Sequence, residues 1–136
     1  MAEKSVFVDA NIIMYTVGAE HPLKKPCRDI VRRITEGEID AVADTEVFQE
    51  ILYRYWAQKK LSAGISTYND FRGLVSLVYA ITADDMDKAR DLLAEFPRLT
   101  PRDAVHAAVM HNNDIREIYT ADRHFDELPK IRRLGP

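Results

Sequence analysis

Five short apolar segments alternate with longer helical ones along this chain, and no other feature limits the fold so much. The strand-like stretches are residues 4–8, 39–43, 78–81, the "EIY" of 117–119, and 131–134. Each is brief, rich in β-branched or aromatic residues, and bounded by polar or turn residues. Between them lie helical patterns. Asn11 to Val17 is opened by Asp9 or Ala10 and broken at Gly18. Leu23 to Glu36 carries Leu23, Cys27, Ile30, Val31 and Ile34 at helical spacing and ends at Gly37. Asp44 or Thr45 caps a helix over 45–60 with Val47, Phe48, Ile51, Leu52 and Tyr55 inward. Gly64 punctuates, and Phe71 opens a further helix that runs into the third strand. Thr82 or Asp84 starts a helix stopped by Pro97, and Thr100-Pro101 starts another whose inward face is Ala104, Ala107, Ala108 and Met110. Strands alternating with helices predict an α/β fold: a three-layer α/β/α sandwich with a short, mainly parallel sheet. The 136 residues hold no repeat or linker and read as one domain spanning 1–136.

That architecture gives the carboxylates a meaning. Ligands of an open parallel sheet bind beyond the carboxyl ends of its strands. Asp9 directly follows the first strand, and Asp122 follows "EIY" with Thr120 between. A right-handed crossover brings the start of the helix holding Asp103 to the same rim. Glu50 lies in the second turn of a helix that begins after the second strand, so it belongs there too. Each has a plainer reading: Asp9 and Asp103 suit caps, Glu50 a solvated helix face, Asp122 a turn. Convergence from four separate segments carries the functional reading.

Carboxylates packed together repel, by about 4 kcal/mol for a pair roughly 4 Å apart at an effective dielectric near 20. They hold protons, or a cation sits among them. A hard divalent ion, Mg²⁺ or Mn²⁺, takes oxygen ligands, lowers the pKa of bound water and neutralises charge at a phosphorus. Hydrolysis of phosphodiesters is the expected chemistry.

Other constellations are weaker. His106 and His111 are five apart and do not share a helical face as a His-x-x-x-His pair would. His106 is expected near the site without a metal role, and His21 and His111 at the surface. Five scattered glycines form no phosphate loop, and no serine or cysteine sits in a nucleophile elbow. With 19 Lys and Arg against 22 Asp and Glu, the net charge of −3 excludes nucleic-acid binding by bulk basic charge alone. Arg102 beside Asp103 is the candidate phosphate contact, with Lys24 to Arg33, Lys59-Lys60 and Lys130 to Arg133 as further cations. Tyr15 and Trp56 are candidates for stacking on bases or contacting a partner, and "YRYWAQKK" for gripping a partner helix. A lone Cys27 suits a reducing compartment. No segment reaches the roughly 18 apolar residues of a membrane span, and the N-terminus lacks a signal h-region, so a cytoplasmic protein is expected.

These motifs, taken together, resemble those of the PIN-domain nucleases. "FVDANIIMY" is similar to the family's opening motif, "FQEIL" to its helical Glu, "LTPRDAVHAAVM" to its third motif and "IYTADRHFDEL" to its fourth. Order and coarse spacing hold over essentially the whole chain, and the length is most similar to VapC-type toxins of toxin-antitoxin pairs. The resemblance implies an Mg²⁺- or Mn²⁺-dependent endoribonuclease acting on RNA. It also implies a homodimer, restrained by a small antitoxin. It implies that Asp9, Glu50, Asp103 and Asp122 hold the metal and that Asn11 and Thr120 support them by hydrogen bonds. One departure concerns a second ion. Many relatives carry an Asp two residues beyond the fourth motif's Asp; here His124 stands there, and Asp126 is the next carboxylate able to replace it.

Two other classes are weighed. In a receiver or haloacid-dehalogenase-like phosphotransfer domain Asp9 would be the nucleophile. The phosphatase needs a second Asp where Asn11 stands, and the receiver needs its acceptor on a later strand. A non-catalytic binding module is the other, and the intact acidic quartet argues against it.

Overall fold

The computed structural model describes residues 4–136. In chain order the elements are β1 (Ser5–Val8), α1 (Ala10–Val17), α2 (Lys24–Thr35), β2 (Asp40–Asp44), α3 (Thr45–Ala57) and α4 (Leu61–Leu74). β3 (Leu77–Tyr79), α5 (Ala83–Glu95), α6 (Pro101–Asn112), β4 (Glu117–Tyr119) and β5 (Arg132–Gly135) follow. A 3-10 turn, Arg123–Glu127, joins the last two strands. No helix among the described residues is long and apolar enough to cross a membrane.

The five strands form one sheet in the order β3-β2-β1-β4-β5, and every neighbouring pair is parallel. The connections from β1 to β2 and from β2 to β3 step one way across the sheet, while β3 to β4 steps back past β1. With right-handed crossovers, α1 to α4 therefore cover one face and α5 with α6 the other. The order reverses between β1 and β4, and such a switch point leaves a crevice beyond the strand ends.

The core lies on both faces of the central strands. Phe7, Val8, Val42 and Ile118 are fully buried, with Ile12 and Ile51 from one helical layer and Met110 from the other. Only four residues were expected inward on α6, yet every residue from Asp103 to Met110 is buried. Its alanines let it lie close against the sheet, and α5 covers its outer flank.

Three local expectations are corrected. Gly64 does not end a helix; it sits inside α4, which begins at Leu61 rather than Phe71. A Cβ on Gly64 would lie 2.6 Å from the Tyr55 Cβ, so the glycine is what lets α3 and α4 meet. The third strand comes slightly earlier than expected, at Leu77–Tyr79. His111 is half-buried rather than a surface residue, with its Nε2 shut away from solvent.

Candidate active site

Asp9 is positioned by two elements at once. Its backbone N–H donates to the Tyr119 carbonyl at 3.0 Å, which ties the end of β1 to the end of β4. Its extended backbone makes it the N-cap of α1, and Oδ1 accepts from the Ala10 N–H at 2.8 Å. Oδ2 accepts from the Thr120 hydroxyl at 2.8 Å and from Asn11 Nδ2 at 3.4 Å. Thr120 in turn accepts from Asn11 Nδ2 at 3.2 Å and from the Asp122 N–H at 3.1 Å. Its hydroxyl thus uses its one donor and both acceptor sites. The Ala121 N–H donates to Asn11 Oδ1 at 3.1 Å, which settles the orientation of that amide.

Glu50 projects from α3 into the same cleft and is 6% exposed. Two arginines bracket it: Arg102 Nε lies 3.1 Å from Oε1 and Arg54 Nε 3.3 Å from Oε2. Burial is the main influence raising its pKa above the usual carboxylate range, and the charge of Asp9 adds to it. The two arginines pull the other way.

Asp103 stands at the third position of α6. Thr100 caps that helix by accepting from the Asp103 N–H at 3.2 Å. In a reciprocal capping box the carboxylate would return the bond, as Asp85 does to Thr82 at the start of α5. Asp103 does not; its side chain turns into the cleft, and its buried Oδ2 has no partner. Burial first, then the facing Asp122 carboxylate and the charge of Asp9, push Asp103 up to about 8. Asp122 caps the 3-10 turn through the His124 N–H at 2.9 Å. Its pKa lies below the ordinary value: burial would raise it, but hydrogen bonds from Asp103 and the His124 backbone outweigh that.

All four expected carboxylates, with Asn11 and Arg102, line one cleft of about 530 Å³ at the β1–β4 switch point. They divide into two groups. Asp9 and Glu50 gather with His106, and Asp103 and Asp122 with His124; within each group the ligand atoms lie within 4.8 Å of one another. Asp126 is not among them. It is exposed, and Arg133 holds it through two bonds of 3.0 and 3.3 Å. Tyr15 lies on the cleft wall against His21, ring centroids 4.6 Å apart. Trp56 lies outside the cleft, 62% exposed. A larger hollow, about 1040 Å³, opens at the other end of the sheet near His111 and Lys130 and holds none of the four carboxylates.

The donor set fits a divalent cation. Oxygen ligands predominate, four carboxylates crowd one cleft, and the buried Asp103 Oδ2 stands there without a partner. Residues 6–131 match the family model of the PIN domain. The chain belongs to the PIN-domain family. Ribonuclease VapC13 of Mycobacterium tuberculosis is 40% identical to it over 130 residues, 96% of this chain and 99% of VapC13. The crystal structure of M. tuberculosis VapC20, described as a sarcin-ricin loop cleaving toxin, matches with a TM-score of 0.75. It covers 93% of this chain and 97% of VapC20 at 18% identity. VapBC2 from Rickettsia felis, solved on a DNA fragment from its promoter, gives 0.74 over 96% of this chain and 97% of that one at 15% identity. At such identities these two structures speak for the fold alone.

Beneath this PIN domain's cleft lie His106, expected near the site, and Asp44, read in the sequence only as a helix cap. His106 is wholly buried, with Nδ1 2.7 Å from Asp44 Oδ2 and Nε2 3.8 Å from Asp9 Oδ1. Asp44 is also wholly buried, and its Oδ1 caps α3 through the Val47 N–H at 3.1 Å. The signal was present in the sequence, because Asp44 ends β2 just as Asp9 follows β1. The phosphotransfer alternative fits poorly here. Both oxygens of Asp9 are occupied as hydrogen-bond acceptors, which blunts a nucleophile.

Proposed function

We propose that this PIN domain is a metal-dependent endoribonuclease, the toxin of a type II toxin-antitoxin pair. The observation that carries the reading is the gathering of Asp9, Glu50, Asp103 and Asp122 in one cleft at the switch point, with Asp103 turned away from its cap. In this reading the four carboxylates hold Mg²⁺ or Mn²⁺. When bound, such an ion lowers the pKa of water and offsets charge on the scissile phosphate.

The chain's own residues supply the rest. Thr120 and Asn11 fix the rotamer of Asp9, so that its oxygens are held before a ligand arrives. Arg102 and Arg54 stand at the mouth of the cleft, partly exposed, where a phosphate can draw either guanidinium from Glu50. Tyr15 offers a ring on the cleft wall for an unstacked base. The relatives bear the names of VapC ribonucleases, and solved neighbours include toxin-antitoxin complexes, which supports a small antitoxin as partner. We place partner contacts, with the antitoxin and in a homodimer, on exposed apolar side chains. The setting is the cytoplasm.

The test is structured RNA incubated with the antitoxin-free protein and Mn²⁺ or Mg²⁺, with and without chelator, beside Asp9→Asn. Cleavage by wild type that stops with chelator, and is at least 100-fold weaker in Asp9→Asn, is expected. Equal cleavage by both proteins would sink the assignment of the site.

A further inference from the structure

His106 lies buried beneath the cleft, and the acidic quartet does not account for it. Its ring is sealed from solvent, packed against Phe7 with centroids 5.2 Å apart. Nδ1 meets Asp44 Oδ2 at 2.7 Å, the distance of a charge-assisted hydrogen bond. The other nitrogen, Nε2, is buried and has no partner. It faces Asp9 Oδ1 across 3.8 Å, too far for a hydrogen bond. Two ligand bonds of about 2.1 Å reach across such a gap. Glu50 completes a set of three ligand atoms there. Histidines that bind metals donate their second N–H to a carboxylate, which selects the tautomer and aims the free nitrogen. Asp44 stands in that position. It has no exposure of its own and reaches only His106 and the cap of α3.

We propose that His106 Nε2 is a nitrogen ligand of the cation site, oriented by Asp44, and that it biases the site toward a first-row transition ion such as Mn²⁺ over Mg²⁺. The proposal rests on the metal-dependent reading above and adds a ligand to it. Mg²⁺ demands oxygen, whereas imidazole favours softer divalent ions.

Asp44→Asn is the informative variant. Asn caps a helix as well as Asp does, so Oδ1 can still accept from Val47. Its Nδ2 would donate to Nδ1, move the ring proton to Nε2 and abolish the free lone pair. The probe is Mn²⁺ itself, without RNA. Pulsed electron paramagnetic resonance reads ¹⁴N coupling to the ion, and calorimetry reads affinity for Mn²⁺ and Mg²⁺. Both are run also in a His124→Asn background, because His124 adjoins the other acidic group. Expected are ¹⁴N coupling in wild type and in His124→Asn, and at least tenfold tighter binding of Mn²⁺ than of Mg²⁺. In Asp44→Asn the coupling should vanish and Mn²⁺ affinity fall about 10- to 100-fold. Mn²⁺ bound without ¹⁴N coupling, or coupling lost in His124→Asn, overturns the ligand role and leaves the metal-dependent reading standing. Coupling that survives Asp44→Asn overturns the orienting role of Asp44. Failure of any divalent ion to bind removes both readings together.

Discussion

Asp103 is pulled two ways, and its titration makes the conflict measurable. Its folded pKa of about 8 lies far above the ordinary 3.8, mainly through burial and then through Asp122 and Asp9. Between those values the folded, metal-free protein binds a proton that the unfolded chain has released. Stability therefore falls as pH rises through this window. His106, held at about 9 against an ordinary 6.5, acts in the same direction: its contribution is present below 6.5 and lost as pH rises through 9. Thermal melts of metal-free protein should show Tm declining from pH 6 to pH 9, and Asp103→Asn should flatten part of that decline. Metal binding must displace the same proton. Mn²⁺ affinity should therefore rise by about tenfold or more per pH unit up to 8, and go on rising toward 9 as the His106 proton is displaced too. Calorimetry at several pH values reads that slope, and an affinity flat from pH 6 to 8 would contradict it. At this scale the gathering of the quartet was legible because Asp9 and Asp122 follow strands while Glu50 and Asp103 lie in the first turns of helices that start at the same rim. The pairing of His106 with Asp44 was not, because the two are 62 residues apart in sequence and only the tertiary fold joins them.

The helices differ in how openly the sequence declares them. α5 carries a full capping box, Thr82 with Asp85, and α6 carries Thr100 followed by Pro101. Both starts can be read without a structure. α4 cannot. Its N-cap, Lys60, makes no side-chain cap bond, and its fully buried positions are Gly64, Thr67 and Phe71. A buried face made of a glycine, a threonine and one aromatic ring shows almost no hydrophobic period. The same helix offers a paired test. At Gly64 a new Cβ would meet the Tyr55 Cβ at 2.6 Å, whereas at Gly73 nothing lies within 4 Å. Gly64→Ala must push α3 from α4. Overpacking of about 1–3 kcal/mol outweighs the roughly 1 kcal/mol that alanine returns in a helix. Gly73→Ala, free of any contact, should stabilise by up to about 1 kcal/mol. Urea melts of the two variants should move the midpoint in opposite directions with the slope unchanged. A stabilised Gly64→Ala would mean that the two helices are not packed as closely as they stand here.

Across the whole molecule, the all-parallel sheet separates what the fold needs from what a partner needs. Alternating strands and helices announce the layers, but strand order is set by which strands pair, and only that order puts the switch point at β1 and β4. Site and fold are thus tied at one rim. The α3–α4 hairpin carries a different kind of surface. Tyr53 and Trp56, one turn apart on α3, are 53% and 62% exposed with ring centroids 6.0 Å apart, and Leu61 and Ile65 on α4 are 45% and 49% exposed. Each pair shares one side of its helix. Large rings left in water on α3, with a second exposed apolar pair on the neighbouring helix, suit the anchor of a protein interface. Trp56 touches none of the four carboxylates and does not line their cleft. Trp56→Glu should therefore leave RNA cleavage by the antitoxin-free protein unchanged. On the proposed toxin reading it should weaken capture by a cognate antitoxin at least tenfold, because a desolvated tryptophan anchor is worth about 2 kcal/mol or more. Binding measured by interferometry, with cleavage measured on the same preparations, separates the two effects. Unchanged antitoxin affinity would move the partner surface away from this hairpin, whereas cleavage lost together with binding would mean that the hairpin also supports Glu50, two turns back along α3.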